Sequence, residues 1–166
     1  QPPPELDSAR TRALCLTDTR IDDMIHDATL GAAHFQVSLP VWLEDYSRRL
    51  EEVIAGLLAR RFTVYLASDH GHVEARGFGR PSEGLTVDTR GGRARIYSDR
   101  RAAVSVRQGF SDTVLWSGDG LLPDDVWVLM PQGRRAFATF DQTVVTHGGL
   151  TLDELVVPLV TITTGS

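Results

Sequence analysis

The sequence predicts an α/β fold with a mostly parallel central sheet flanked by helices, and this prediction depends on three consecutive segments. Residues 13–17 and 62–67 are short apolar runs with the composition of buried strands. Between them, apolar residues recur at three- and four-residue spacing opposite a charged face, which indicates an amphipathic helix. A strand, a helix and a second strand in succession favour parallel pairing, because the helix returns the chain to the same end of the sheet.

The helix is expected to begin near residue 38 and to end near residue 58. Ser38 is placed to cap the first turn, and Pro40 lies within that turn, where a proline costs no hydrogen bond. The apolar face consists of Leu43, Tyr46, Leu50, Val53, Ile54, Leu57 and Leu58.

Shorter elements are expected in the rest of the chain. Glycines and prolines dominate residues 73–92, so we expect loops and small hairpins outside the core over about 73–110. Short strands are expected at residues 113–116, 126–130 and 136–140. Thr151 followed three residues later by Glu154 is a capping-box pattern that opens a helical turn. A final strand is expected at residues 157–163.

Length and composition indicate one globular domain preceded by a linker. The chain has 166 residues, 42% of them apolar, and no apolar stretch approaches the roughly 18–20 residues that span a bilayer. Residues 1–12 begin with a run of prolines and are interpreted as linker, and residues 13–166 as the domain. With neither an initiator methionine nor a signal peptide, the sequence is expected to be a piece of a longer protein.

The single cysteine and the charge distribution indicate the compartment and the partners. Cys15 lies in an apolar run, so we expect a buried structural thiol in a reducing cytoplasm. A net charge of −5 argues against nonspecific nucleic-acid binding by the whole domain. Residues 76–107 differ from the rest, because eight arginines against three acidic residues give this stretch a charge of +5.

The strongest signal for chemistry is the run Ser68-Asp69-His70-Gly71-His72 directly after a predicted strand. Ligands collect at the carboxyl ends of strands in open α/β sheets. Asp69 and His70 present a carboxylate oxygen and an imidazole nitrogen to one point, while Gly71 lets the backbone turn sharply. The run is therefore a candidate metal site; the alternative is a strand-ending turn with a surface histidine.

Two further groups of residues also follow apolar segments. Asp22 and His26 are four residues apart, a spacing that aims both side chains at one ion if the segment is helical; a solvated or capping face is the alternative. His147 precedes two glycines and is either held against a site or a turn histidine without function. Together the three groups provide two aspartates and three histidines, a set that suits two divalent ions.

These motifs resemble the alkaline phosphatase superfamily, which combines Asp-x-x-x-His, a later Asp-His-Gly and a final histidine. Within it, the Ser-Asp-His-Gly-His run and the run Val-Thr-His-Gly-Gly-Leu-Thr-Leu-Asp-Glu-Leu-Val-Val-Pro at residues 145–158 are similar to PglZ domains of bacterial phage-defence (BREX) systems. The resemblance covers roughly residues 13–162. It implies the carboxy-terminal part of an alkaline-phosphatase-like domain.

The resemblance also implies a division of ligands between two ions. Asp22, His26 and His147 would hold one ion, and Asp69 and His70 the other, with zinc or manganese as the expected metals. The superfamily uses a further Asp ligand and a Ser or Thr nucleophile on an upstream strand, and neither has a matching position in this chain. The chain is thus expected to carry most ligands and to lack the nucleophile.

Residues beside the expected ligands are assigned other roles. His72 lies one residue beyond the usual ligand pair and is expected to support a ligand or the local structure. Arg93, Arg95 and Arg100 belong to the arginine-rich stretch, where they either form a solvated face or contact a phosphorylated or nucleic-acid substrate.

The function that the resemblance implies is a metal-dependent phosphatase or phosphodiesterase-like domain of a cytoplasmic phage-defence protein. Its expected partners are other proteins of the defence system, with no membrane involvement. The alternative is a non-catalytic scaffold for protein–protein contacts within a defence complex. A structural domain with a single metal and no catalysis is a third interpretation.

Overall fold

The structure, a computed structural model, describes residues 11–27, 32–82 and 89–165. The chain divides into two compact units, one comprising residues up to Ser68 together with those from Pro158 onward, the other Asp69–Val157. The predicted linker, residues 1–12, lies almost entirely outside the described residues. The helices are α1 (Arg20–Asp27), α2 (Ala32–Ala59), α3 (Arg100–Gly109) and α4 (Leu152–Leu155). The strands are β1 (Val64–Ala67), β2 (Val73–Gly77), β3 (Thr89–Arg90), β4 (Arg95–Tyr97), β5 (Thr113–Trp116), β6 (Trp127–Pro131), β7 (Arg135–Ala136), β8 (Thr143–Thr146) and β9 (Leu159–Ile162).

The first unit contains α1, α2 and a two-stranded antiparallel ribbon. β1 pairs with β9 in a register that runs from Val64 opposite Ile162 to Ala67 opposite Leu159. α2 packs beside β1, and its Leu57 is buried. The predicted long helix, the strand that follows it and the final strand are therefore confirmed.

The strand predicted at residues 13–17 is wrong, because residues 11–19 form neither helix nor strand. Cys15, expected to be a buried thiol, is exposed. A strand needs a neighbour that satisfies its N–H and C=O groups. Among the described residues β1 pairs only with β9, so this apolar run has no strand beside it.

The predicted start of the long helix is also wrong. α2 begins at Ala32, before the expected capping residue Ser38, and Pro40 lies inside the helix. Proline is favoured in a first turn because its missing N–H is not needed there. That preference does not forbid a proline further along a helix, where it costs one hydrogen bond and about 3 kcal/mol.

The second unit contains two sheets together with α3 and α4. β2 is the centre of a three-stranded sheet, pairing in parallel with β7 and antiparallel with β8. The other sheet has the strand order β3–β4–β6–β5, and all of its neighbours are antiparallel.

The expected mostly parallel central sheet is not formed by the described residues. Among the strands that the structure describes, the β2–β7 pair is parallel and the other pairs are antiparallel. The predicted strand–helix–strand unit lacks its first strand, and β1 is joined instead by β9 from the other end of the sequence. The fold is accordingly mixed α/β, with small and mostly antiparallel sheets.

The core of the second unit consists of two apolar clusters. On β2 the residues alternate strictly: Val73 and Ala75 are buried, while Glu74 and Arg76 are exposed. The first cluster contains Val73, Ala75, Ala136 and Ala138, and the second contains Tyr97, Ala103, Leu129 and Phe137. The expectation that residues 73–110 lie outside the core is therefore wrong for β2 and β4, although β3 and β4 do form a small hairpin.

The remaining sequence predictions concern the short strands after residue 110 and the helical turn at Thr151. β5 covers the predicted residues and β6 is shifted by one residue. The strand expected at 136–140 is wrong apart from Ala136, which ends β7, because residues 137–140 form no strand. The capping box of Thr151 and Glu154 is present. α3 was not predicted, although Asp99 caps it by accepting a hydrogen bond from the Arg101 N–H at 2.8 Å. No described helix is long and apolar enough to cross a membrane.

Replacing Leu129 by alanine tests the second cluster. Leu129 is fully buried, so its loss leaves a cavity, and we expect the free energy of unfolding to fall by about 2–5 kcal/mol. Leu121→Ala is the matched control, because Leu121 is 81% exposed and its truncation should change stability by less than about 0.5 kcal/mol. Urea unfolding of both variants measures the difference; equal losses would contradict this assignment of the core.

Candidate metal centre

Three histidines come together at one end of the β2–β8 pair. His72 immediately precedes β2, and His147 immediately follows β8. The last pair of this antiparallel ladder is Val73 opposite Thr146, so the next residues on both strands leave the sheet at the same end. One ring nitrogen from each of His70, His72 and His147 lies within 4.8 Å of the others.

The rings form a compact and half-buried group. His70 and His147 stack with centroids 3.9 Å apart and an angle of 8° between the ring planes. His72 meets both edge-on, at 5.1 Å from His70 and 5.2 Å from His147. Imidazole nitrogens are good ligands for zinc and other first-row divalent ions. This cluster is therefore the arrangement in the second unit that is best suited to hold a metal.

The ring of His70 has a hydrogen-bond partner that can select its tautomer. Its Nδ1 lies 3.2 Å from the carbonyl oxygen of Gly71. In the tautomer that donates this hydrogen bond, Nε2 keeps the lone pair that a metal requires.

The segment that carries His70 and His72 is held against α4. The Gly71 N–H donates to the main-chain carbonyl of Glu154 at 2.9 Å. A Cβ at position 71 would lie 2.0 Å from the carbonyl oxygen of Asp153, so only glycine fits there without moving the backbone. The close approach of the two main chains thus fixes the segment between the two histidines.

The loop after His147 is held by the same turn. Gly148 has a φ of +98°, a left-handed conformation that favours glycine. The Gly149 N–H donates to Oε1 of Glu154 at 2.8 Å. A Cβ at position 149 would lie 2.5–2.8 Å from the guanidinium of Arg93, so the buried arginine also excludes any larger residue at this position.

Arg93 and Glu154 form a buried ion pair at the centre of these contacts. Arg93 Nε and Nη2 donate to the two carboxylate oxygens of Glu154, each at 2.9 Å. Thr151 donates to Oε2 from its N–H at 3.0 Å and from its hydroxyl at 2.7 Å. Burial raises the pKa of Glu154, but these hydrogen bonds and that of Gly149 outweigh it and lower the pKa to about 2. Glu154 is therefore ionised whenever the protein is folded at ordinary pH.

The other predicted ligands are Asp69 in the second unit and Asp22 and His26 in the first. The Asp69 side chain is 90% exposed, and its Oδ1 lies 3.7 Å from His70 Nε2. Asp22 and His26 lie on α1 in the first unit, so the helical turn that their spacing requires is confirmed. Their part in a metal site remains a prediction.

His72 was expected to support a ligand or the local structure, and its role remains a prediction. In the structure one of its ring nitrogens lies within 4.8 Å of ring nitrogens of His70 and His147, so it is also placed as a possible ligand. The signal was present in the sequence, because two histidines on either side of a single glycine can turn back toward one point. What the sequence lacked was the partner strand that brings His147 opposite His72.

The three arginines predicted to contact substrate have different environments. Arg93 is fully buried on Glu154, which contradicts a role in contacting substrate and gives it a structural role instead. Arg95 is 6% exposed, lies over the Phe137 ring at 5.3 Å and lines a cavity of about 620 Å³. Arg100 is exposed at the start of α3, with its guanidinium 5.3 Å from the centre of the Trp127 ring.

The lowered pKa of Glu154 predicts an acid dependence of stability. Its folded pKa of about 2 lies below the ordinary value of 4.5, so its contribution is complete above pH 5 and is lost as the pH falls toward 2. The wild-type free energy of unfolding should therefore drop by about 3 kcal/mol more across this range than that of Glu154→Gln. Denaturant unfolding at several pH values measures the slopes. Asp153→Asn, which alters the neighbouring but half-exposed carboxylate, should keep the wild-type slope; a wild-type slope in Glu154→Gln would contradict the assignment.

Comparison with known protein families identifies the family to which the chain belongs. The sequence model described as the BREX system PglZ alkaline phosphatase-like domain matches residues 12–162. Among proteins with curated functions, none matches the sequence significantly.

Proposed function

Because this chain belongs to the PglZ family of BREX alkaline phosphatase-like domains, we propose that it is the metal-binding part of a divalent-metal-dependent phosphoric-ester hydrolase. The observation that carries the proposal is the convergence of His70, His72 and His147, whose ring nitrogens lie within 4.8 Å of one another. Histidines gathered at the ends of two strands are more than a stable fold requires, and the binding of divalent cations at this place is the simplest reason for them.

The donor atoms suit such an ion in kind and in spacing. Nitrogens bound tetrahedrally to zinc at 2.0–2.1 Å are about 3.3 Å apart, so modest side-chain rotations bring a cluster within 4.8 Å to that distance. Asp69 Oδ1 at 3.7 Å from His70 Nε2 is also near enough for both atoms to share one ion. The exposed carboxylate of Asp69 would bind the ion from the solvent side of the site.

The full ligand set that we propose follows the family pattern. Asp22, His26 and His147 hold one ion, and Asp69 and His70 hold a second, with zinc or manganese as the metals. His72 adds a third imidazole in the second unit, which favours zinc over the harder manganese ion. When bound, such ions stabilise the negative charge that develops on a transferring phosphoryl group.

The nucleophile is proposed to lie outside these 166 residues. The superfamily uses a Ser or Thr on a strand upstream of its ligands, and no residue of the chain matches that position. This chain would then supply metal ligands, while a further segment supplies the attacking oxygen. Two arginines remain candidates for contacts to a phosphorylated or nucleic-acid substrate. They are the exposed Arg100 and Arg95, which lines the cavity described above.

A second candidate function is a scaffold for protein–protein contacts in the defence system. The β1–β9 ribbon favours it, because both of its faces expose apolar side chains. Leu66 and Val160 are 37% and 43% exposed on one face, and Tyr65 and Leu159 are 68% and 71% exposed on the other. Exposed apolar surface of this kind marks interaction sites.

Metal binding is the first test of the catalytic proposal. The purified chain should bind zinc, and His70→Ala, His72→Ala or His147→Ala should each weaken binding by more than about 100-fold, since lost ligands cost more than the 10–100-fold typical of their supporting residues. Isothermal titration calorimetry measures the affinities. His34→Ala is the matched control, as this histidine is not part of the family pattern. Unchanged zinc affinity in all three variants would overturn the site.

Hydrolysis distinguishes the two candidate functions. The 166-residue chain should cleave an activated phosphodiester such as bis(p-nitrophenyl) phosphate slowly or not at all, because it lacks the nucleophile. A longer protein with the upstream segment should be active with zinc or manganese and inactive after His147→Ala. Equal turnover by both proteins would contradict the missing nucleophile. An inactive longer protein that assembles with defence partners, and loses assembly after Tyr65→Ser, would favour the scaffold.

A further inference from the structure

We propose that Glu154 is a positioning residue that holds both histidine segments of the metal centre in place at once. The proposal depends on the proposed function, because it concerns the same three histidines. Glu154 contacts both segments through main-chain N–H groups, those of Gly71 and Gly149. Through these contacts it would act on a metal by way of the segments that carry the ligands.

The side chain of Glu154 holds the His147 segment. Oε1 accepts the Gly149 N–H at 2.8 Å, two residues after the histidine. The same oxygen accepts from Arg93 Nε at 2.9 Å, so a fully buried guanidinium also holds the carboxylate. Neither Glu154 nor the loop can shift without breaking a charge-assisted hydrogen bond in a buried place.

The main chain of Glu154 holds the other segment. Its carbonyl oxygen accepts the Gly71 N–H, which lies between His70 and His72, at 2.9 Å. The contact is close enough that a Cβ at position 71 would overlap the Asp153 carbonyl oxygen. A displacement of the α4 turn would therefore move His70 and His72 together with it.

The chemistry of the position requires a carboxylate. Five donor groups converge on the two oxygens: the Gly149 N–H, Nε and Nη2 of Arg93, and the N–H and hydroxyl of Thr151. Glutamine keeps one acceptor oxygen and turns its NH₂ group toward donors of Arg93 or Thr151. It also leaves the buried guanidinium without a compensating charge, which is costly.

The expected consequence is a loss of metal affinity that is separable from a loss of stability. Supporting residues of metal ligands typically change affinity by 10–100-fold, and we expect Glu154→Gln to weaken zinc binding within that range. The double variant Arg93→Met/Glu154→Met replaces the pair with apolar side chains of similar size, a change that often preserves stability. It cannot accept the Gly149 N–H, so its zinc affinity should stay low even where its stability is restored.

The experiment compares these two variants with the wild type and with Arg134→Gln. Arg134 donates to Asp153 in the same turn at 2.7 Å, but both side chains are half exposed, so this control should bind zinc normally. Calorimetry gives the zinc affinities and denaturant unfolding gives the stabilities. In the metal-free protein, NMR gives the ring-current shifts of the stacked His70 and His147 and the hydrogen-exchange rates of the Gly71 and Gly149 amides.

The proposal predicts that both Glu154 variants bind zinc weakly and lose the ring-current shifts of His70 and His147. In the wild type, it predicts that the Gly149 amide is protected from hydrogen exchange. A double variant that is stable and binds zinc like the wild type would show that Glu154 serves stability alone and would overturn the proposal. A wild-type protein that binds no zinc would refute the proposed function. The ring-current shifts of His70 and His147 in the metal-free protein would then still test the positioning role. Shifts in the Glu154 variants that equal those of the wild type would overturn it. If both variants fail to fold, rapid exchange of the wild-type Gly149 amide would overturn it and slow exchange would support it.

Discussion

The arrangement of the two histidine segments depends on a buried ion pair between residues that are far apart in the sequence. Arg93 and Glu154 are 0% and 1% exposed in their side chains. Burying two charges costs several kcal/mol per ion unless the remaining lone pairs and protons are also satisfied. Here the carboxylate accepts from Gly149 and Thr151 as well as from the guanidinium. The pair is therefore satisfied only when the 149–154 turn has closed around it, which couples the conformation of this turn to the ion pair.

The histidine cluster follows from that constraint. Two segments more than seventy residues apart, one with His70 and His72 and one with His147, are bound to the same four-residue helix, α4. The contacts run through backbone N–H groups, and Gly71 and Gly149 are needed because a Cβ would meet Asp153 or Arg93. The ring positions therefore depend on main-chain hydrogen bonds, which leave less freedom than packing of flexible side chains. The histidine cluster is therefore organised by the protein chain itself.

The two units differ in how well their strands are covered. In the second unit β2 has a neighbour on each edge and alternates between buried and exposed residues. In the described part of the first unit β1 pairs with β9 alone, and apolar side chains are exposed on both faces of the ribbon. A two-stranded ribbon is at best marginally stable in water unless further strands or a helix pack against it. This contrast is the physical basis for considering protein–protein contacts at the ribbon alongside metal chemistry in the second unit.

The sequence alone determined the features that depend on short-range order. The long helix, β5, the Thr151–Glu154 capping box and the residue types of the site each follow from periodicity or spacing within a few residues. Strand direction could not be obtained in this way, because parallel and antiparallel strands share the same two-residue period. The burial of Arg93 depends on a partner 61 residues away, and the entry of His72 into the cluster depends on β8 pairing with β2. Only the tertiary structure decided these, since each depends on which distant segment lies alongside.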